Sequence, residues 1–185
     1  MNKAIFIDKD GTLIKDVPYN IDIAKMSYFE HSFDGLRMLW NDGYSIFIIT
    51  NQSGIGRGIF NEDELNAMLQ CIASDFLAND VPLAGIYYCP HYPGSKNPAY
   101  DKDCFCRKPQ PGLLLKAARE HNIDLSRSWM IGDAVTDMHA GKSAGCKVAL
   151  VHHDHKEEIP DIDVVAVNLY EASQKIKQQE RLRNH

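Results

Sequence analysis

No apolar run in this 185-residue sequence approaches the roughly 18 residues that a membrane span requires, and no basic segment leads into an apolar stretch near its start. Positive charge is not in excess either. The 20 Lys and Arg stand against 25 Asp and Glu, a net charge of −5, which argues against a general nucleic-acid binder. Internal repeats and low-complexity linkers are absent, so neither a solenoid nor a string of tethered modules is indicated. Cysteine is sparse and odd in number, five in all, and three of them (Cys89, Cys104, Cys106) crowd one short stretch. That clustering favours a metal over disulfides. Cys71 and Cys146 stand alone in apolar-periodic segments and read as small buried hydrophobes. The expectation is a monomeric cytoplasmic protein of one domain, residues 1–185, that meets neither nucleic acid nor membrane.

What is present is an alternation of strand and helix signals. Residues 3–7 form an apolar run without polar alternation, which suits a strand covered on both faces, and the run stops abruptly at Asp8-Lys9-Asp10-Gly11-Thr12. Residues 15–27 read as a loop. Ser32 is placed to cap a helix through Asp42, with Phe33, Leu36, Leu39 and Trp40 inward and Gly43 closing it in the left-handed conformation. A second buried strand spans 44–50. Asn61 and Glu64 then form a capping box for a helix that buries Leu65, Met68, Leu69, Ile72 and Phe76. Further strands are expected at 85–88, 128–133, 147–151 and 164–167, with Trp129 in the core like Trp40. Further helices are expected at 112–120, led by Pro111 and packing through Leu114, Leu115, Ala117 and Ala118, and at 136–144. Asn168 with Glu171 caps a last helix through Gln179, and residues 180–185 form a frayed, solvated tail. The order specifies an α/β doubly wound parallel sheet, Rossmann-like in connectivity, with right-handed crossovers.

In open sheets of this kind, ligands gather outside the carboxyl ends of the strands. Three such ends carry complementary groups: Asp8 and Asp10, Thr50 and Asn51, and Asp133 with Asp137 a turn later. Lys108 lies between the last two in sequence. A polar turn explains any one pair, but acids, a hydroxyl and a cation converging on one edge suit phosphoryl transfer. Asp8 could attack phosphorus and form an aspartyl phosphate, while Asp10 handles the proton. A Mg²⁺ held by carboxylates, together with Lys108 and backbone amides, would offset the repulsion between carboxylate and phosphate.

A second cluster is Cys89-Pro90-His91, twelve intervening residues, then Cys104-Phe105-Cys106. Three thiols and one imidazole can fill a tetrahedral Cys₃His shell, which implies a structural Zn²⁺. The intervening stretch has two prolines, a glycine and no apolar periodicity, so it cannot build a core by itself. Metal can order what burial cannot. His152, His153 and His155 read as a solvated loop.

Taken together, Asp8-Lys9-Asp10-Gly11-Thr12, Thr50-Asn51, Lys108 and Gly132-Asp133-x-x-x-Asp137 resemble the four motifs of the haloacid dehalogenase-like (HAD) superfamily, over roughly residues 3–150. The resemblance implies that Asp8 is the nucleophile, Asp10 the general acid/base and Thr50 a phosphoryl ligand. It implies that Lys108 holds the charges of Asp8 and the phosphoryl group. Mg²⁺ would be bound by Asp8, the Asp10 backbone carbonyl and Asp133, with Asp137 in support. An acid two positions after the nucleophile marks phosphatases and mutases rather than dehalogenases.

The zinc loop with Cys-x-Cys-Arg-Lys-Pro, combined with residues 51–58, resembles the D-glycero-D-manno-heptose 1,7-bisphosphate 7-phosphatases. Histidinol-phosphate phosphatases share that loop, but the Ser-Gly and Arg-Gly pairs after Thr50 side with the heptose family. The resemblance implies a sugar-phosphate substrate met by Tyr19, Thr50, Asn51, Gln52, Ser53, Arg57, Arg107 and Lys108. Lys9 stands where that family more often has Arg and is expected to point away from the phosphate. The different-class alternative is a noncatalytic zinc-stabilised binding module, against which Asp8, Asp10, Lys108 and Asp133 all speak. Neither interval between motifs leaves room for a separate cap domain, so an open crevice is expected.

Overall fold

The structure is a computed structural model that describes residues 1–151 and 161–183; His152, His153 and His155 lie outside them. Six strands pair in one parallel sheet, β1 (Lys3–Ile7), β2 (Tyr44–Asn51), β3 (Leu83–Cys89), β4 (Trp129–Gly132), β5 (Lys147–Val151) and β6 (Val164–Ala166). Their spatial order is β3-β2-β1-β4-β5-β6. The chain therefore winds outward from β1 in one direction and then, from β4, in the other. That reversal puts the switch point between β1 and β4 and places their carboxyl ends beside that of β2.

Period-two alternation along the strands divides the core between the two faces. Ile5, Ile7, Ile46, Ile48 and Ile131 join one cluster, whereas Ala4, Phe6, Phe47, Ile49 and Met130 join the other. The first face is covered by α1 (Ser32–Asn41), α3 (Glu62–Ala78) and α6 (Leu169–Arg183), through Leu36, Leu39, Leu65, Met68, Ile72, Phe76, Leu169 and Ile176. The second is covered by α4 (Gly112–His121) and α5 (Val135–Ala144), through Leu113, Leu114, Ala117 and Met138. Burial of the sheet on both sides is why the sequence runs read as continuous rather than alternating.

Several local expectations hold. The Asn61–Glu64 capping box is formed in both directions, and Gly43 and Gly145 end α1 and α5 with positive φ. Trp129 is fully buried. The intervals between motifs hold a single 3₁₀ turn (Ile23–Lys25), α1, β2, the one-turn helix α2 (Ser53–Gly56), α3, β3 and the cysteine loop, so no cap domain is inserted.

Others are corrected. Ser32 is the first residue of α1 rather than its cap; His31 holds the cap position in the left-handed conformation without a side-chain bond to the helix. Trp40 and Leu115 face solvent, 40% and 36% exposed, because each helix covers the sheet with one stripe and these two fall on its margin. Cys146 is buried as expected, but Cys71 is only half-buried on α3. The last helix runs beyond Gln179 to Arg183, held in part by a 2.5 Å ion pair from Lys147 to Glu180.

Candidate active site

The residue after β1, Asp8, continues the ladder by donating its N–H to the Ile131 carbonyl of β4 at 2.9 Å. That bond seats its carboxylate at the switch point. Thr50 lies at the end of β2 and Asp133 follows β4 directly, so three separate sequence motifs meet on adjacent strands. A crevice of about 190 Å³ is lined by Asp8, Asp10, Thr50, Asn51, Lys108, Asp133 and Asp137, with Ala134 and Thr136.

Lys108 arrives from the loop after the cysteines and is 4% exposed. Its ammonium lies 2.5 Å from Asp8, 2.6 Å from Asp137 and 3.0 Å from the Ile49 carbonyl. Burial by itself would push that ammonium down, but Asp137 and then Asp8 outweigh it and hold it above its ordinary value. Asn51 supports the arrangement from β2. Its amide oxygen accepts from the Lys108 N–H at 3.0 Å and its amide nitrogen donates to the Lys108 carbonyl at 3.1 Å. Asn51, expected at the substrate, thus clamps the backbone that carries the lysine.

Asp8, Asp133 and Asp137 each offer an oxygen within 4.8 Å of the others. Three carboxylates against one ammonium leave an excess of two negative charges in a buried place. Burial pushes Asp8 well above the usual carboxylate range, with Lys108 pulling back and Asp137 and Asp10 pushing further; burial and Asp137 likewise raise Asp133. Hard oxygen donors with surplus negative charge fit a divalent cation such as Mg²⁺. Gly11 leaves the space: it has φ +84°, and a Cβ there would run into the Asp133 carboxylate. Thr12 steadies that carboxylate, its hydroxyl donating to Asp133 at 3.1 Å. Asp137 is 1% exposed and accepts the Ala134 N–H at 3.1 Å while pairing with Lys108. To the support of a cation expected of it, the structure adds the orientation of the lysine.

The Asp10 carboxylate turns elsewhere. Lys9, only 1% exposed, lies 2.7 Å from one of its oxygens, and the Gln52 amide donates to the other at 3.0 Å. Lys9, expected to point away from the phosphate, anchors the acid that stands at the crevice. Its signal in sequence is a lysine between two acids at the end of a buried strand. Beside Asp10 a second cavity of about 290 Å³ is lined by Asp16, Pro18, Tyr19, Asn20, Asn51, Gln52, Ser53 and Gly54. Tyr19 and Ser53, expected to meet substrate, line this cavity, and Asp16 and Asn20 line it from the same loop as Tyr19. Arg57 and Arg107 line neither cavity. The Arg57 guanidinium stacks 3.7 Å from the Tyr92 ring and lies 5.7 Å from Tyr19, and one arm of Arg107 donates to the His91 carbonyl at 3.2 Å.

The second cluster is assembled as its spacing suggests. Cys89, at the end of β3, has its sulfur 3.1 Å from Cys106 and 3.5 Å from Cys104; Cys104 and Cys106 are 3.3 Å apart, and His91 Nδ1 is 3.2 Å from Cys106. Sulfurs bound to one zinc at about 2.3 Å stand about 3.7 Å apart, whereas a disulfide needs about 2.05 Å. The four ligand atoms fit a closed tetrahedral metal site. The loop is also sewn to the turn after β2: Gly56 N–H donates to the Pro90 carbonyl at 3.1 Å, and Glu62 accepts from Tyr88 at 2.7 Å and from Tyr100 at 2.9 Å.

A doubly wound sheet with Asp8 and Asp10, Thr50, Lys108 and Asp133 at its switch point defines a HAD-like hydrolase, and a family model described as HAD-hydrolase-like matches residues 105–172. The chain belongs, within that class, to the D-glycero-manno-heptose-1,7-bisphosphate 7-phosphatase family. The enzyme named for the β anomer from Pasteurella multocida is 46% identical over 147 residues, 80% of this chain and 79% of that one. One named for the α anomer, from Photorhabdus laumondii, is 36% identical over 90% of this chain and 91% of its own. Among solved structures, D,D-heptose 1,7-bisphosphate phosphatase from B. bronchiseptica, complexed with magnesium and phosphate, superposes with TM-score 0.84 at 27% identity, covering 96% of this chain and 99% of that one.

Proposed function

We propose that this chain is a Mg²⁺-dependent phosphatase that removes the 7-phosphate of D-glycero-D-manno-heptose 1,7-bisphosphate. The observation that carries the reading is the buried contact of Asp8, Lys108, Asp133 and Asp137 at the switch point, in a chain whose curated relatives bear that name. A carboxylate oxygen of Asp8 attacks phosphorus, and the ester bond breaks as Asp10 gives a proton to the departing sugar oxygen. Water then attacks the aspartyl phosphate and passes a proton to Asp10, and the bond between phosphorus and Asp8 breaks to release phosphate. Thr50 and Lys108 donate to the phosphoryl oxygens, whose charge would otherwise repel Asp8. Asp8, Asp133 and the Asp10 backbone carbonyl, with Asp137 behind them, would hold Mg²⁺, whose charge would neutralise the remainder.

Zn²⁺ on Cys89, His91, Cys104 and Cys106 is structural, since all four positions are taken by protein. It orders the loop that ends in Arg107 and Lys108. Selectivity comes from the rim: Tyr19 and Ser53 meet the sugar, and Arg107, with help from Arg57, reads the other phosphate. The β anomer is favoured because the relative of higher identity is named for it. The chain acts as one catalytic domain and as a monomer. A reducing cytoplasm suits five cysteines with no disulfide among them. The product would feed nucleotide-activated heptose for surface glycans.

A panel of phosphate esters compared by kcat/KM with Mg²⁺ tests this reading. Heptose bisphosphate should exceed its monophosphates and histidinol phosphate. Preference for histidinol phosphate would move the chain to the neighbouring family, and no release from any ester would leave a noncatalytic module.

A further inference from the structure

Asp10 has an arrangement that its role alone does not require. Each carboxylate oxygen has its own donor, and the two donors come from different strand ends. Lys9 lies 2.7 Å from one oxygen at the end of β1, and the Gln52 amide reaches the other at 3.0 Å from the end of β2. Lys9 and Gln52 are 1% and 6% exposed, whereas the Asp10 side chain is 31% exposed at the crevice. The carboxylate torsion of an aspartate is broad, so an unpartnered Asp10 would sweep a wide arc. Donors at both oxygens remove that freedom.

The same Gln52 nitrogen also donates to the Thr50 hydroxyl at 2.9 Å. Both of its hydrogens are therefore committed, one to the acid and one to the hydroxyl. This amide orientation follows from the ion pair of Asp10 with Lys9, since a flipped amide would press its oxygen against the charged carboxylate. By accepting from Gln52, the Thr50 oxygen keeps its own proton free to point at a phosphoryl oxygen. Lys9 is bound into this set for a separate reason: an ammonium buried to that degree requires a counter-charge, and Asp10 supplies it.

We propose that Lys9 and Gln52 are positioning residues of the reaction. Gln52 sets the Asp10 carboxylate and the Thr50 hydroxyl with one amide, and Lys9 fixes the second Asp10 oxygen. Both act through those groups rather than on the sugar, which gives Gln52 a different role from the substrate contact expected of it. The inference rests on the phosphatase reading and deepens it.

The test compares wild type, Lys9→Met, Lys9→Arg and Gln52→Glu on heptose bisphosphate with saturating Mg²⁺. Lys9→Met keeps an apolar stem of similar length, and exchanging a buried ion for an apolar group of similar volume is often tolerated by the fold. Gln52→Glu keeps shape but faces Asp10 with a second carboxylate. Both should lower kcat by about 10–100-fold with KM changed less than about threefold, a part of the roughly 10²–10⁴ that a general acid/base contributes. Lys9→Arg should recover most of the loss. In an Asp10→Asn background, Lys9→Met should cost less than about twofold more, since residues acting as a unit are not additive. A loss that appears in KM, or that persists undiminished in the Asp10→Asn background, overturns the assignment. Wild-type turnover with both variants at full kcat overturns this inference alone, whereas a wild type inert on every ester overturns the phosphatase reading with it.

Discussion

Asp8→Asn should abolish turnover and, in metal-free protein, raise stability. The structure places Asp8 in a buried cluster of three carboxylates and one ammonium, where burial holds its carboxyl well above the usual range despite Lys108. The ionised form is therefore disfavoured in the fold, and an amide of the same shape relieves that without creating a cavity. Lys108 keeps Asp137 at 2.6 Å as its counter-ion. Substitutions that relieve a functional site commonly gain about 0.5–2 kcal/mol. At this chain length 1 kcal/mol moves Tm by roughly 2–4 °C, so metal-free Asp8→Asn should melt about 1–8 °C above wild type. A carboxyl whose folded pKa lies above its unfolded value contributes stability below the unfolded pKa, here ordinarily 3.8, and loses it as pH rises through the folded value. The advantage of the variant should accordingly grow from acid toward neutral pH. Saturating Mg²⁺ should reverse the order, because a ligand at 100 times its Kd adds about 2.7 kcal/mol to the state that binds it and the variant has lost a ligand oxygen. Thermal unfolding with and without Mg²⁺ at several pH values reads all of this. Metal-free Asp8→Asn melting at or below wild type would mean that the Lys108 attraction outweighs desolvation, and equal Mg²⁺ shifts in both proteins would remove Asp8 from the metal site.

Three further outcomes are expected. Cys104→Ser or Cys106→Ser should release zinc, measured by elemental analysis, and lower activity through misplacement of Arg107 and Lys108; one zinc per chain in the wild type and retention of zinc when Mg²⁺ alone is withdrawn complete the check. Gly11→Ala places a Cβ against the Asp133 carboxylate at φ +84°, so Mg²⁺ affinity and kcat should both fall, with a stability loss of about 1 kcal/mol or more. Arg107→Ala should lower kcat/KM for a bisphosphate by roughly 10–150-fold, the worth of one charge-assisted contact, and for a monophosphate of similar size by less. Equal losses on the two substrates would take the remote phosphate away from Arg107.

The order and type of the elements are legible in the sequence, because a doubly buried strand must be apolar throughout and a crossover helix must carry one apolar stripe. So are the residues able to do chemistry: carboxylates at strand ends and thiols at metal spacing have few other uses in those places. How these residues divide the work is settled by the folded chain. Asn51 is a substrate ligand by resemblance, yet its amide closes on the backbone of Lys108, 57 positions away in the chain. Asp137 reads as support for a metal and is also a counter-ion for that lysine. Lys9 reads as a bystander between two acids until the fold turns its ammonium back on Asp10. Ser32 and Trp40 depart from expectation for a related reason, since a cap and the edge of a buried stripe depend on what the neighbouring loop and helix leave uncovered. Periodicity records how far each residue lies from solvent, averaged along one element. A hydrogen bond between elements depends on where two strand ends meet, and that is set by the winding of the sheet.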